Sequence, residues 1–198
     1  MATTRWFFGF GSLVNERTLP ADTTWCPATL RGWQRTWGHA IPRDPPWFAL
    51  NIEPETNTSI DGLLIKETPS LAPQLAAREQ GYSAHRLADD AITTPLPAED
   101  ASIWVWRSDH PASPDQLGCL LQSYIDCVLK GFLTHFGEAG VERFLATTLG
   151  WHSPIIADRG APRYPRAQAL SAQVETAFDR QVVAVQHAAR ATGGRDNV

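Results

Sequence analysis

The sequence predicts an α+β fold: a small mixed β-barrel or strongly curved sheet with flanking helices, followed by a helical C-terminal half. Three observations carry that expectation. Residues 5–107 hold short apolar runs separated by Pro- and Gly-rich turns, the texture of strands. Residues 113–190 carry apolar side chains at helical spacing. Seven of the eight tryptophans precede residue 107, which suits a curved sheet wrapped around large side chains.

With 198 residues and 43% hydrophobic composition, the chain is long enough for one domain with a proper core. No linker, repeat or low-complexity tract divides it, so residues 1–190 are expected to form a single domain and residues 191–198 a frayed tail. The net charge of −4 and the lack of a basic block disfavour nucleic acid and anionic membranes as partners. No apolar run reaches the ~20 residues that span a bilayer, and the N-terminus lacks a signal-peptide pattern, so a cytoplasmic protein is expected. Three cysteines fit that compartment: Cys119 and Cys127 fall eight residues apart on one predicted helix, too far for a disulfide, and Cys26 has no evident partner. No ordered His/Cys cluster suggests a metal.

Taken in order, Arg5–Phe10 reads as a strand that stops at Gly9-Phe10-Gly11. Strands are expected at Leu30–Ala40, Ala49–Pro54, Ile60–Lys66 and Ile103–Arg107. In the last, Trp104 and Trp106 share one face and Ile103 and Val105 the other, so burial on both faces is expected. Thr68 caps a predicted helix with Pro69 in its first turn, running through Leu71, Leu75 and Tyr82 near Gly81. Ser113-Pro114-Asp115-Gln116 has the form of a capping box. It opens the strongest amphipathic segment, from Leu117 and Leu121 through Tyr124, Val128 and Phe132 to Phe136. A shorter helix covers Glu138–Leu149 up to Gly150, and a last one carries Leu170, Val174, Phe178, Val182 and Val185.

Two segments hold the chemistry. Phe7-Phe8-Gly9-Phe10-Gly11-Ser12-Leu13 runs an apolar strand into a Gly-rich turn. It is no dinucleotide fingerprint, because Val14 takes the place of the third glycine and no helix pattern follows. Two glycines at a strand end permit either an ordinary turn or a nest of backbone N–H groups for a carboxylate or oxyanion. In Ala77-Arg78-Glu79-Gln80-Gly81-Tyr82, a helical projection sets Arg78 and Tyr82 on the stripe of Leu71 and Leu75, with Glu79 at its edge. Two charges there are either an internal ion pair or a site, and the projection does not choose.

Phe8-Gly9-Phe10-Gly11-Ser12-Leu13, Leu30-Arg31-Gly32-Trp33 and Arg78-Glu79-Gln80-Gly81-Tyr82, in that order, resemble the signature of the γ-glutamylcyclotransferase-like superfamily. Ser123-Tyr124-Ile125-Asp126-Cys127-Val128 is similar to a helix of its ChaC-like branch. The resemblance implies a compact α+β barrel-like fold and cyclisation of a γ-glutamyl group to 5-oxoproline, with release of an amine or peptide and no cofactor. Glu79 matches the family's catalytic carboxylate. Phe10, Gly11, Ser12 and Leu13 match its substrate-holding loop, with Phe10 standing where the family's turn usually has Tyr.

Such a reaction needs one group that takes a proton from the substrate's α-ammonium and later returns one to the leaving nitrogen. A partly buried carboxylate with a raised pKa suits both steps. Tyr82, Tyr164 and Arg166 are further substrate-binding candidates, as hydroxyls or a guanidinium fork for the α-carboxylate or the leaving peptide. The competing readings are packing for Tyr82 and a surface clasp for Arg163–Arg166. His152 reads as a loop histidine and Asp158-Arg159 as a local ion pair or turn. Two other functions stand beside the cyclotransferase: a non-catalytic small-molecule binder on the same fold, and a tailoring enzyme that removes a γ-glutamyl protecting group.

Overall fold

The structure, a computed structural model, describes residues 4–88, 90–93, 101–109, 111–112 and 116–193. A six-stranded, curved and unclosed sheet forms the first half. Its strands are β1 (Thr4–Gly9), β2 (Trp25–Ile41), β3 (Trp47–Lys66), β4 (Tyr82–Arg86), β5 (Ala101–Ser108) and, after a short β6 (Leu120–Leu121), β7 (Thr148–Leu149). The order is β4-β5-β1-β3-β2-β7, with β1 parallel to β5 and antiparallel to β3. The sheet therefore resolves the sequence's two options in favour of the curved sheet over the barrel.

β2 and β3 make one long antiparallel hairpin, interrupted between Arg31 and Trp33 and between Trp37 and His39. The runs expected as separate strands at Ala49–Pro54 and Ile60–Lys66 are the two ends of β3. Its middle is largely exposed and polar, and residues 55–58 there have no partner in β2. β5 is buried most fully through Ile103 and Val105 on one face, while the other face carries the buried Ser102 and Ser108 and the half-buried Trp104 and Trp106. Trp106 stacks on Phe7 at 5.1 Å, and the Arg5 guanidinium lies 4.5 Å from the Trp104 ring. The tryptophans as a group are thus less uniformly core than their bulk suggests: Trp6, Trp37 and Trp151 are buried, but Trp25 is 36% exposed.

α1 spans Ala72–Arg78, and the Thr68 hydroxyl accepts a hydrogen bond from the Leu71 N–H at 3.2 Å. Tyr82 does not continue this helix as expected. The chain leaves it at Glu79, turns at Gly81 with φ +86°, and enters β4 at Tyr82. The positive φ is what requires glycine there.

α2 (Gln122–Ala146) starts later than the amphipathic pattern suggested, and Gly137 at φ 65° divides it close to the expected Glu138 boundary. Leu117 is 88% exposed and Leu120–Leu121 pair instead with β8 (Ile155–Ile156), because a parallel bridge satisfies their backbone before the helix begins. Cys119 therefore lies outside the helix that holds Cys127, and all three cysteines are free. Residues 113–115 of the expected capping box lie outside the described residues. The cap that is seen comes from Asp158, whose carboxylate accepts from the Ser123 N–H at 2.7 Å and the Ser123 hydroxyl at 2.6 Å.

Asp158 and Arg159 accordingly do not pair with each other. Arg159 forks onto Asp126 of α2 and Asp179 of α3 (Ala172–Gly193), at 2.6 and 2.7 Å. Phe178 and Val182 of α3 are buried against the rest of the core. Among the described residues no helix is long and apolar enough to cross a membrane, and no group of His, Cys, Asp and Glu could hold a metal ion.

Candidate functional site

β1 delivers the chain into the glycine turn at the centre of the sheet. Ser12–Val14 form a 3-10 turn closed by Val14 N–H to the Gly11 carbonyl at 2.9 Å. The first N–H groups of a helical turn have no partner within it, so those of Ser12 and Leu13 are available to a ligand. A Cβ on Gly9 would lie 2.6 Å from the Leu13 Cβ, which is why the turn can fold back so closely only with glycine there.

The turn is clamped from three sides. Arg35 of β2, fully buried, donates to the Phe10 carbonyl at 2.8 Å, to Thr147 Oγ1 at 3.1 Å and to the Asp61 carbonyl. Asn15 donates to the Cys127 carbonyl of α2 at 2.8 Å. Gly131 lets α2 approach so closely that a Cβ there would stand 2.6 Å from the Asn15 nitrogen.

Arg78, at the end of α1, reaches over the same turn. Its guanidinium donates to Ser12 Oγ at 2.9 Å and to the Thr18 hydroxyl and carbonyl at 2.9 and 3.2 Å. Its Nε lies 3.4 Å from Glu79 Oε1, with side-chain exposures of 6% and 14%. Neighbours inside a helix project apart. This pair meets because Glu79 is the helix C-cap, at φ −96° and ψ 33°, outside helical geometry. The charged pair is therefore an ion pair and part of a cleft at once, the two readings the sequence left open.

Glu79, Ser12, Tyr82 and Tyr124 form the wall between two spaces. One is a small inner hollow also lined by Phe10, Gly11, Leu13 and Leu50. The other is a cleft of about 910 Å³ that extends past His39, Arg43, Trp47, Arg163, Tyr164 and Arg166. All the sequence-predicted site residues, Glu79, Phe10, Gly11, Ser12, Leu13, Tyr82, Tyr164 and Arg166, thus come together around these two spaces. In Arg163–Arg166, Arg163 clasps the Asp44 carbonyl at 2.8 Å, while Tyr164 is buried and lines the cleft. His152 is exposed in its turn and takes no part in either space.

Burial pushes the Glu79 carboxyl above the ordinary carboxylate range, and the charges of Arg78 and Arg166 pull it partly back. Burial likewise raises the Tyr82, Tyr124 and Tyr164 phenols, so all three are protonated donors at neutral pH. Tyr82 spends its hydroxyl on the Leu50 carbonyl at 2.7 Å, and the Leu50 N–H donates to the Tyr124 hydroxyl at 3.4 Å. The Tyr164 hydroxyl lies toward Ser12 without closing a hydrogen bond of good geometry. Phe10 is buried and brings no hydroxyl; a Cβ on Gly11 would stand 3.2 Å from the Tyr124 hydroxyl, so a phenol from α2 sits against the turn.

Sequence reading missed Arg35, His39, Trp47 and the site role of Tyr124. One signal for the first was present: the alternation Trp33, Arg35, Trp37, His39 puts a charge at an inward position of β2. His39 packs on Tyr82 with ring centroids 4.0 Å apart, and its Nδ1 lies 2.7 Å from Ser108 Oγ. Nothing local marks His39 or Trp47, because strand curvature brings them to the cleft.

No protein-family model matches the chain, and no curated protein resembles it in sequence. Solved structures do resemble it. A gamma-glutamyl cyclotransferase superposes with a TM-score of 0.56 at 13% identity, over 89% of this chain and 99% of its own. An uncharacterised protein from Homo sapiens gives 0.55 at 14% identity, over 90% of this chain and 99% of its own. YkqA from Bacillus subtilis gives 0.51 at 13% identity, over 72% of this chain and 53% of its own. The chain has the γ-glutamylcyclotransferase-like fold; these likenesses do not single out the ChaC-like branch.

Proposed function

From that fold and the buried carboxylate in the wall of its cleft, we propose that the protein cyclises a γ-glutamyl group to 5-oxoproline and releases an amine or peptide. The observation that carries this reading is the position of Glu79. It stands between a glycine turn with open N–H groups and a cleft large enough for a leaving group, and its carboxyl is held above its ordinary range.

In this reading the ionised Glu79 takes a proton from the substrate's α-ammonium. The freed amine attacks the γ-carbonyl carbon of the same molecule, an intramolecular step favoured by proximity once the glutamyl chain is folded. The tetrahedral oxyanion is met by the N–H groups of Ser12 and Leu13. The bond from the γ-carbon to the leaving nitrogen then breaks as Glu79 returns its proton to that nitrogen. The ring nitrogen, which still carries two hydrogens after the attack, gives one to the released amine, which leaves as its ammonium form. The nucleophile belongs to the substrate, so the protein supplies none. The chemistry calls for no cofactor.

The Arg78–Glu79 contact at 3.4 Å favours a second reading, a γ-glutamyl compound binder without turnover, because an arginine partner offsets part of the rise that burial gives the carboxyl and so weakens it as a base. One experiment separates the two: 5-oxoproline release by wild type and by Glu79→Gln over γ-glutamyl peptides and γ-glutamylamines. Release by wild type that falls by about 10²–10⁴ in the variant supports the cyclotransferase. Binding of these compounds by calorimetry with no release supports the binder, and equal release by both proteins removes Glu79 from the chemistry.

A further inference from the structure

His39 joins two strands that the sheet order keeps apart. β2 and β4 have β5, β1 and β3 between them, yet the His39 ring of β2 lies against the Tyr82 ring of β4 with centroids 4.0 Å apart. Tyr82 and Ser108 are opposite residues of the β4–β5 ladder, and His39 Nδ1 meets the Ser108 hydroxyl at 2.7 Å. The Ser108 N–H in turn donates to Asn51 Oδ1 of β3 at 2.9 Å, and the Tyr82 hydroxyl to the Leu50 carbonyl at 2.7 Å. One buried imidazole therefore fastens the curved sheet to itself where β4 begins.

A local irregularity aims it there. Trp37 stands opposite Leu50 and His39 opposite Ala49, so Gly38 is an extra residue in β2. In unbroken register His39 would oppose Phe48 and point to the other face of the sheet. The bulge returns it to the face of Ala49 and Trp47, which line the cleft. An apolar ring would fill the same space, but the contact with Ser108 also fixes the plane of this one.

The same ring lies under the turn that carries Glu79. The chain passes from α1 to β4 through Glu79, Gln80 and Gly81, a turn closed by Tyr82 N–H to the Glu79 carbonyl at 3.0 Å. Gly81 sits so close to the imidazole that a Cβ on it would stand 2.9 Å from Cε1 and 3.2 Å from Nε2. From the end of β5, the Asp109 N–H donates to the Gly81 carbonyl at 3.2 Å. We infer that His39 is a positioning residue: its ring is the platform that holds the exit turn of α1, and with it the Glu79 carboxylate, facing the glycine turn. This rests on the cyclotransferase reading and deepens it. The Ser12 and Leu13 N–H groups belong to the turn after β1, so gripping the substrate is separable from placing the proton carrier.

The test measures 5-oxoproline release from γ-glutamyl donors by wild type, His39→Ala, His39→Phe and Ser108→Ala, with thermal melts to confirm folded protein. His39→Ala is expected to lower kcat by about 10²-fold, the cost of roughly 1 Å of misplacement, with KM little changed. His39→Phe keeps a ring against Gly81 and Tyr82 and restores most of kcat. Ser108→Ala frees the ring to turn and falls between the two. An unchanged kcat in folded His39→Ala, or a loss confined to KM, overturns the proposal. A His39→Phe as slow as His39→Ala also overturns it, because the imidazole would then carry a proton itself.

A second readout needs no turnover: titration of the Glu79 carboxyl, followed by NMR on carboxyl-labelled protein. Wild type and His39→Phe are expected to titrate above the ordinary carboxylate range, and His39→Ala to fall back toward it as the side chain swings into the open cleft. The groups that face this carboxyl, Arg78, Arg166, Tyr82 and Tyr124, are the same in all three proteins. Identical titration in wild type and His39→Ala overturns the positioning role. If no donor is turned over, the cyclotransferase reading fails, and the titration decides the positioning role by itself.

Discussion

Replacing Arg35 by Met separates what this buried charge does for stability from what it does for the site. The guanidinium is fully buried, and that burial, partly offset by Asp61, lowers its pKa from 12.5 to about 9, so it remains charged at neutral pH. That fall corresponds to roughly 5 kcal/mol by which the fold disfavours the charged form. Met, similar in length and without charge, relieves it.

Against this relief stand the buried Phe10 carbonyl and the part-buried Asp61 carbonyl, left without their donor at about 1–3 kcal/mol each. The guanidinium also sits 4.9 and 5.0 Å from the Phe132 and Phe144 rings, contacts of roughly 0.5–2 kcal/mol each. Thr147 is spared, since its hydroxyl still donates to the Arg143 carbonyl at 2.7 Å. The losses, about 3–10 kcal/mol, largely offset the relief, so urea unfolding of Arg35→Met is expected to fall between about 2 kcal/mol of gain and about 5 kcal/mol of loss. The geometry has no such compensation. The Phe10 carbonyl is released, the glycine turn slackens, and KM for a γ-glutamyl donor rises by about 10-fold. A loss well beyond ~5 kcal/mol, or an unchanged KM in a variant that folds, would refute the reasoning.

Three other outcomes can be checked directly. Because the fold raises the Glu79 pKa, the folded state holds that proton more tightly than the unfolded chain, and stability falls as pH climbs from the ordinary carboxylate range through the raised value. Glu79→Gln should therefore match or exceed wild type in thermal melts at pH 7.5 and lose that advantage at acid pH, while the acid limb of wild-type activity sits above the ordinary carboxylate range; a variant less stable at pH 7.5 than at acid pH, relative to wild type, contradicts this. Gly81→Ala puts a Cβ at φ +86° and 2.9 Å from the His39 ring, and is expected to lower stability by about 1–2 kcal/mol or more in chemical denaturation. Asp158→Ala removes the acceptor for the Ser123 N–H and hydroxyl and should cost about 1–2 kcal/mol, with Asp158→Asn recovering part of it.

The sequence by itself determined the α+β division, the glycine turn after β1 and a helix boundary between Phe136 and Glu138. These are local matters: hydrophobic period, glycine placement and short motifs are properties of neighbouring residues. Three features were decided only by tertiary structure. β3 is held to β2 on both sides of its polar, exposed middle, Pro54 opposite Trp33 and Ser59 opposite Arg31, while residues 55–58 between them have no partner in β2. Tyr82 leaves the helical stripe because Gly81 turns the chain into the sheet, and Glu79 meets Arg78 only because that exit takes it out of helical geometry. The Arg35 clamp joins residues far apart in the chain, as does the gathering of Arg43, Arg163 and Arg166 around one cleft. Charge and burial at those positions depend on which distant surfaces meet, and no window of sequence contains both surfaces.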